Sequence, residues 1–222
     1  MSETLKVDIW SDVACPWCYI GKRRFESALA RIAERDGSAL DVTVEYHSFE
    51  LSPDTPVDFE GTVTEFLAGH KGIPLAQARQ MQEHVAALAA AEGLDFRADD
   101  VRHTKTLRAH ELLHLAKAHG VQYEMKERLL LAYFTEGRHV GHVEDLADLA
   151  AEVGLDRAET VAALTDGRYA DDVAADIAQA RTLGINGVPF FVLDGKYGVS
   201  GAQDPDVFVQ VLDQVLADRV SA

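Results

Sequence analysis

The order of strand-like and helix-like segments is the feature that most limits the folds open to this chain. Apolar and polar residues alternate over residues 5–10 and again over 41–49, and between them apolar residues recur at helical spacing to about residue 34. A strand, a helix and a second strand in this order normally form a crossover that joins parallel strands. The sequence therefore predicts a βαβ unit at its start.

Two further changes of pattern divide the rest of the chain. Residues 62–168 are rich in Ala, Leu, Glu and Arg, with glycines at intervals typical of helix ends, so this region is predicted to be all helical. Beyond residue 170 a helix-like segment precedes two short apolar runs around Asp194 and Gly195, a pair that signals a hairpin turn. Pro205 then suits the first turn of a last helix. The predicted fold class is α/β.

The chain contains two cysteines, Cys15 and Cys18, and both lie where the first predicted strand gives way to the first helix. Pro16 between them suits the first helical turn, where its missing N–H is no loss. The helix dipole is expected to lower the pKa of Cys15, and Cys18 lies one turn further on, within disulfide reach. A structural zinc site needs further ligands that no other cysteine supplies. A redox pair is therefore favoured, with no metal.

Pro189 is a second signal, because it stands directly before an apolar strand, where a proline has no place in the sheet interior. A cis Val188–Pro189 bond would place a tight bend at the edge of the strand. A trans proline at the start of a strand is the alternative, and the residues alone favour it.

The order of elements, the CPWC motif and the VPFF motif together resemble the thioredoxin superfamily. More closely, the chain is similar to DsbA-type oxidoreductases with a helical insertion, of the FrnE-like branch. The matching segments extend from the first strand almost to the last helix and are SDVACPWCYIGKRRFESAL, AHELL, GLD, GINGVPFFV and SGAQ.

This resemblance implies a thioredoxin-like fold with a large all-helical insertion. Residues 1–56 and 171–222 would form one discontinuous thioredoxin-like domain, and residues 57–170 the helical insertion. The insertion is expected to cover the CPWC motif and to shape a groove for the client. Its apolar helices are also a candidate interface for a homodimer.

The resemblance also implies the roles of the site residues. Cys15 would be the exposed nucleophile and Cys18 the resolving thiol, and together they would form the redox-active disulfide without any further cofactor. Glutathione is a candidate co-substrate, and the other expected partners are proteins that carry thiols or disulfides. The residues expected to contact these substrates are Pro16, Trp17, Val188 and Pro189, with Pro189 as the cis-proline that faces the two thiols.

The chain departs from the family pattern at two positions. Thioredoxin-like enzymes often bury a carboxylate six residues before the first cysteine, and that position is Ile9 here, so the acceptor of the Cys18 proton stays unassigned. Strongly oxidising relatives have His between the cysteines, whereas this chain has Trp17, which predicts a less oxidising couple. Lys22 to Arg24 are expected to form a solvated helix face.

The segment from His110 to His114 reads HELLH and matches the zinc-protease pattern, with Glu111 as the base. The continuation that would supply a third histidine is missing, since Gly120 stands at that position. We interpret these residues as the polar positions of an amphipathic helix, and His139 and His142 as loop residues.

Charge and hydropathy exclude several classes of partner. The 21 basic and 37 acidic residues give a formal charge of −16, which disfavours binding to nucleic acid or to an anionic membrane surface. No run approaches the roughly 18 apolar residues of a membrane span. The first residues show no secretory signal pattern, which predicts a cytoplasmic location.

Two alternative functions stay open at this point. Kappa-class glutathione transferases and 2-hydroxychromene-2-carboxylate isomerases share the expected fold, bind glutathione and usually have Ser where Cys15 stands. A non-catalytic module that binds clients in the groove is the other alternative. The presence of both cysteines favours disulfide exchange.

Overall fold

The structure, a computed structural model, describes residues 4–221, with side chains as far as residue 219. Within that range the elements, in chain order, are β1 (Leu5–Ser11), α1 (Pro16–Asp36), β2 (Val42–Ser48), α2 (Val63–Lys71), α3 (Leu75–Ala91), α4 (Leu107–Ala118), α5 (Gln122–Phe134), α6 (Val143–Glu152), α7 (Arg157–Asp166), α8 (Ala170–Thr182), β3 (Phe190–Leu193), β4 (Tyr197–Ser200) and α9 (Pro205–Ser221). None of the helices in the described part of the chain is long and apolar enough to cross a membrane.

The four strands form one sheet in the order β2-β1-β3-β4. Strands β1 and β2 are parallel, which confirms the predicted βαβ unit, and β3 runs antiparallel to both β1 and β4. Asp194 and Gly195 have φ angles of 56° and 63°, so the predicted hairpin turn is also confirmed. The sheet thus joins the two ends of the chain, with β1 in contact with a strand that lies about 180 residues later.

Helices cover both faces of the sheet. Helices α1 and α9 pack on one face, where Phe25, Phe191 and Phe208 meet with ring centroids 4.8–5.6 Å apart. Helix α8 covers the other face through Ala180, which packs with the buried Trp10. Successive side chains of β1 point to opposite faces of the sheet, so this strand packs against both layers of helices.

The six helices α2–α7 lie between β2 and α8 in the chain and build a second apolar core together with Val13, Tyr19 and Ile20 from the start of the chain. Helix α2 begins at a capping box in which Thr62 and Glu65 each bond the backbone of the other. Helix α5 is tied to β2 by Gln122, whose amide accepts from Tyr46 N–H at 2.9 Å and donates to Tyr46 C=O at 2.8 Å. The helical region is therefore fixed against the edge of the sheet.

A charged network fixes β2 to its neighbours through His47. Its ring nitrogens lie 2.8 Å from Asp8 on β1 and 2.8 Å from Asp176 on α8. Burial lowers the pKa of His47, but the hydrogen bonds to Asp176 and Asp8 outweigh burial and raise the pKa to about 9. The imidazolium therefore holds three elements together at neutral pH.

This pKa gives stability a defined pH dependence. A group whose folded pKa is raised stabilises fully below its unfolded value of about 6.5, and the stabilisation is lost as pH rises towards about 9. His47→Gln, which keeps hydrogen bonding but not the charge, should lower the free energy of unfolding by about 2–3 kcal/mol at pH 6, and by much less at pH 9.5. Urea unfolding at both pH values measures this. The exposed His119→Gln is the control, and an equal loss at the two pH values for the His47 variant would contradict the assignment.

Candidate active site

The two cysteines lie at the beginning of α1, as the sequence predicts. Cys15 directly precedes the helix with an extended backbone (φ −93°, ψ 111°), and Pro16 is the first helical residue. The Cys18 N–H donates to the Cys15 carbonyl at 3.0 Å, so Cys18 lies one turn into the helix. The helix start therefore fixes the spacing of the two thiols.

The loop before β3 faces this pair. The Val188–Pro189 peptide bond is cis, which confirms that prediction. The Cys15 thiol donates to the Val188 carbonyl at 3.6 Å, and the Gly201 N–H donates to the Pro189 carbonyl at 2.8 Å. Residues from the two ends of the chain thus meet at Cys15.

Both thiols are buried, with 3% of each cysteine exposed, so the prediction that Cys15 is exposed on the surface is wrong. The reason is the roof formed by α2, α3 and the segment after β2. Cys15 nevertheless lines a cavity of about 350 Å³ beneath that roof, whereas Cys18 does not. Access to the pair is therefore through the cavity and reaches Cys15 first.

The cavity is mainly apolar, and Pro16 and Trp17 line it together with side chains from α2, α3 and α5. Trp17 is 36% exposed, which places its ring at the boundary between the cavity and solvent. His103 adds a polar group to the lining, with its Nδ1 2.9 Å from the Tyr133 hydroxyl. Burial lowers the pKa of His103 to about 4, so its ring is neutral at pH 7. Such a cavity suits an apolar group with few charges.

The surroundings of the two thiols change their pKa values in opposite directions. A hydrogen bond to Cys18 and burial both raise the pKa of Cys15. Burial also raises the pKa of Cys18, but the hydrogen bond from Cys15, the charge of Lys126 and the nearby Ser11 hydroxyl outweigh it, so the net pKa is lowered. The expectation of a lowered pKa at Cys15 is therefore wrong in the dithiol state, because the Cys18 sulfur has the better surroundings for negative charge.

Asp12 lies three residues before Cys15, and its carboxylate is buried and hydrogen-bonded. Its carboxylate accepts from His110 Nε2 at 3.2 Å and from the Leu51 N–H at 2.9 Å. Burial raises the pKa of Asp12, but these hydrogen bonds lower it by more and leave it below its usual value. Asp12 is thus a fixed anion at the base of the site and a weak proton acceptor.

Comparison with known proteins places this site in a family. The model of the DSBA-like thioredoxin domain matches residues 6–213. The chain belongs to that family. A probable DsbA oxidoreductase from Streptomyces coelicolor is 45% identical with a TM-score of 0.88, and the match covers 96% of this chain and 90% of that one.

Two further relatives are more distant. The uncharacterized protein YwbO of Bacillus subtilis (strain 168) is 30% identical over 94% of this chain and 96% of its own. The cytosolic disulfide reductase DsbM from Pseudomonas aeruginosa, solved with GSH, is 21% identical with a TM-score of 0.64, over 96% of this chain and 99% of that one. At that identity, the likeness to DsbM shows a shared fold. Family and structure together confirm a DSBA-like thioredoxin fold with a helical insertion, while the FrnE-like branch and the domain boundaries stay predictions.

The cations that follow the DSBA-like Cys-x-x-Cys motif are not a solvated face, contrary to prediction. Lys22 is 3% exposed and its ammonium lies 2.5 Å from Glu26 and 2.7 Å from Glu127 on α5. Arg23 also pairs with Glu127, and Arg24 pairs with Glu92 at the end of α3. These long-range pairs join α1 to the helical insertion, which the local charge pattern does not reveal.

The HELLH segment of α4 lies in the interior, and its residues have separate partners. His110 bonds Asp12, His114 lies 3.1 Å from Asp176, and Glu111 pairs with Arg108. Each side chain serves a different interaction, but all three are buried, so the interpretation of these residues as the polar positions of an amphipathic helix is wrong.

His139 and His142 lie in the loop between α5 and α6, and Asp58 from the segment between β2 and α2 is close enough to them for a metal site. The His139 Nδ1 accepts the Gly141 N–H at 3.1 Å, and its Nε2 donates to the Val57 carbonyl at 3.1 Å. Both ring nitrogens are therefore engaged by the backbone, which is consistent with the predicted loop role.

Sequence reasoning missed His103, Tyr133 and Lys126. None lies in a recognisable motif, and all three reach the site only because the helical insertion folds over it. The helical spacing of apolar residues along α5 is the one signal in the sequence. It predicts a buried position for Lys126 but does not indicate which groups Lys126 faces.

Gly21 on α1 lies in close contact with Pro189. A Cβ at this position would lie 2.9 Å from the Pro189 ring and 3.4 Å from Ala202. Gly21→Ala should push the Pro189 loop away from Cys15 and lower the rate of reaction of Cys15 with a small disulfide roughly tenfold to a hundredfold. Gly69→Ala, on the open side of α2 with no atom within 4 Å, is the matched control and should leave that rate unchanged. Equal rates for the two variants would show that the loop position does not matter.

Proposed function

We propose that this chain is a thiol–disulfide oxidoreductase in which Cys15 exchanges disulfides with the substrate and Cys18 resolves the mixed disulfide. The observation that carries the proposal is an asymmetry of access. Cys15 lines the cavity and contacts the Val188 carbonyl, whereas Cys18 lies behind it, out of the cavity. Membership of the DSBA-like family supports the same reaction class.

The exchange follows from this asymmetry. In the oxidising direction a substrate thiolate attacks the Cys15 sulfur, the bond between Cys15 and Cys18 breaks, and Cys18 leaves as a thiolate. A second substrate thiolate then attacks the substrate sulfur of the mixed disulfide and releases Cys15. In the reducing direction Cys15 attacks a substrate disulfide and Cys18 displaces the substrate. A leaving thiol of low pKa departs faster, and the charge of Lys126, which lowers the pKa of Cys18, favours the first step.

Small thiols and disulfides are the substrates that the site suits best. A buried Cys15 at the wall of a cavity of about 350 Å³ is accessible to a small molecule, whereas a protein client would have to insert an extended segment beside Val188 and Pro189. Glutathione belongs to the candidate substrates, and the DsbM structure with GSH shows that a protein of this fold holds it. We place the reaction in the cytoplasm, in line with that cytosolic relative.

Replacement of each cysteine tests the proposal. Cys15→Ser should abolish exchange with oxidised glutathione, because the accessible sulfur is gone. Cys18→Ser should react once and stop, because the mixed disulfide at Cys15 cannot be resolved. Intact-mass spectrometry after incubation with oxidised glutathione detects the trapped adduct, and circular dichroism confirms that both variants are folded.

Two outcomes would contradict the proposal. Turnover that survives in Cys15→Ser would assign the activity to glutathione binding, as in the transferase or isomerase alternative. An adduct that forms on Cys18 in the Cys15→Ser variant as fast as on Cys15 in the Cys18→Ser variant would remove the asymmetry on which the roles depend.

A further inference from the structure

Three buried polar atoms behind Cys18 make no hydrogen bond within the described residues, namely Ser11 Oγ, Tyr46 Oη and Lys126 Nζ. Leaving a buried polar group without a partner costs free energy, about 1–3 kcal/mol each and more for a charged group. Lys126 is the most costly of the three, because none of its surface is exposed and no carboxylate pairs with it. A cation in this position calls for a functional explanation.

Lys126 reaches the site from the helical insertion. Its neighbour Glu127 is bound by Tyr19, Lys22 and Arg23 of α1, which fixes this part of α5 against the helix that carries Cys18. The Lys126 ammonium itself lies 5.4 Å from the centre of the Tyr46 ring on β2. Lys126 is therefore enclosed between α1 and the sheet.

The register of the sheet connects Lys126 with the missing carboxylate. Ile9, which occupies the position where related enzymes bury an acid, pairs directly with Tyr46. Ile9 is buried in the apolar core and has no ionisable group to offer Cys18. Lys126 thus brings an ionisable group from α5 to the strand pair where β1 lacks one.

The titratable groups that interact with Lys126 come from all the elements packed around it. They are Cys15 before α1, Cys18 and Lys22 on α1, Asp12 after β1 and Tyr46 on β2. Asp12 is occupied by His110 and Leu51, and Lys22 is neutralised by Glu26 and Glu127. Of the other acids, Cys15 lines the cavity and Tyr46 is a weaker acid than a thiol, which leaves Cys18 as the buried acid that Lys126 can serve. Burial lowers the pKa of Lys126, so its ammonium gives up a proton more readily than that of an exposed lysine.

We propose, on the basis of the function proposed above, that Lys126 is the positioning residue that holds the proton of Cys18 and provides the counter-charge for its thiolate. In the dithiol state the Cys18 proton resides on the Lys126 amine, which leaves a buried thiolate at Cys18 and a buried ammonium at Lys126. Cys15 keeps its own proton.

The protons and electrons balance over the cycle. When the Cys15–Cys18 disulfide oxidises two substrate thiols, the substrate loses two electrons and two protons and forms its own disulfide. One proton is taken by the Cys15 thiolate as it is released, and the other by the Lys126 amine as Cys18 leaves as a thiolate. In the reverse reaction the Cys18 thiolate attacks the mixed disulfide, and Lys126 loses its proton to water once the charge beside it is gone.

A titration of Cys18 tests this without any need for catalytic activity. In the Cys15→Ser background Cys18 is the only thiol, and its thiolate is followed by absorbance near 240 nm as pH is raised. Adding Lys126→Met, which keeps the length of the side chain but removes its charge, should shift the Cys18 titration upward by about one pH unit or more. No shift would overturn the proposal.

Lys22→Met in the same background is the matched control, since Lys22 is a buried lysine at the same interface between α1 and α5 but already has two carboxylate partners. It should lower the unfolding temperature and leave the Cys18 titration within about 0.3 unit of that of the parent. An upward shift as large as that of Lys126→Met would show a general structural effect and would overturn the specific role.

A measurement on the unmodified chain covers the case in which Lys126→Met fails to fold. The ε-carbon resonance of Lys126, followed by NMR in the dithiol and disulfide states, should report a higher pKa in the dithiol state, because only there does it face a thiolate. Identical titrations in the two states would overturn the proposal. These readouts are independent of turnover, so they separate a failure of the Lys126 role from a failure of the oxidoreductase function.

Discussion

Burial of the two thiols is the constraint on which the rest of the structure depends. A thiol in water has its ordinary pKa, whereas the pKa of a buried thiol is set by the few groups that surround it. A hydrogen bond to Cys18 and burial raise the pKa of Cys15, whereas burial of Cys18 is outweighed by the hydrogen bond from Cys15 and the charge of Lys126, so its pKa is lowered. The same burial leaves Cys15 at the wall of the cavity, whereas Cys18 does not line it.

Three parts of the chain must meet to produce that environment. The start of α1 sets the spacing of the cysteines, the loop at Pro189 closes one side, and the helical insertion supplies both the roof and the cation from α5. The ion pairs of Lys22 and Arg23 with Glu127 hold the insertion against α1, so they act on the chemistry through position. Under the proposed function, substitutions in the insertion would change the potential of the couple without any change in the CPWC motif.

The sequence predicts those features that are encoded within a short stretch of chain. The helix start at Pro16, the cis bond at Pro189 and the hairpin turn each depend on a few adjacent residues, and the structure confirms them. The burial of Cys15, the pairing of Lys22 and the position of Lys126 depend on contacts between residues about 100 positions apart. Local patterns of charge and hydropathy do not record such contacts, so the charge balance of the site could not be predicted.

The reduction potential of the Cys15–Cys18 couple tests the central claim most directly. Equilibration in glutathione buffers of graded composition, followed by alkylation and mass analysis, counts the oxidised and reduced molecules. A thiolate stabilised at Cys18 favours the reduced state, while Trp17 in place of a cation between the cysteines favours it less than in strongly oxidising relatives. We therefore predict one two-electron transition with a midpoint between about −270 mV, as in thioredoxin, and about −120 mV, as in DsbA. Thiols that stay reduced throughout, or a midpoint below the thioredoxin value, would contradict this account.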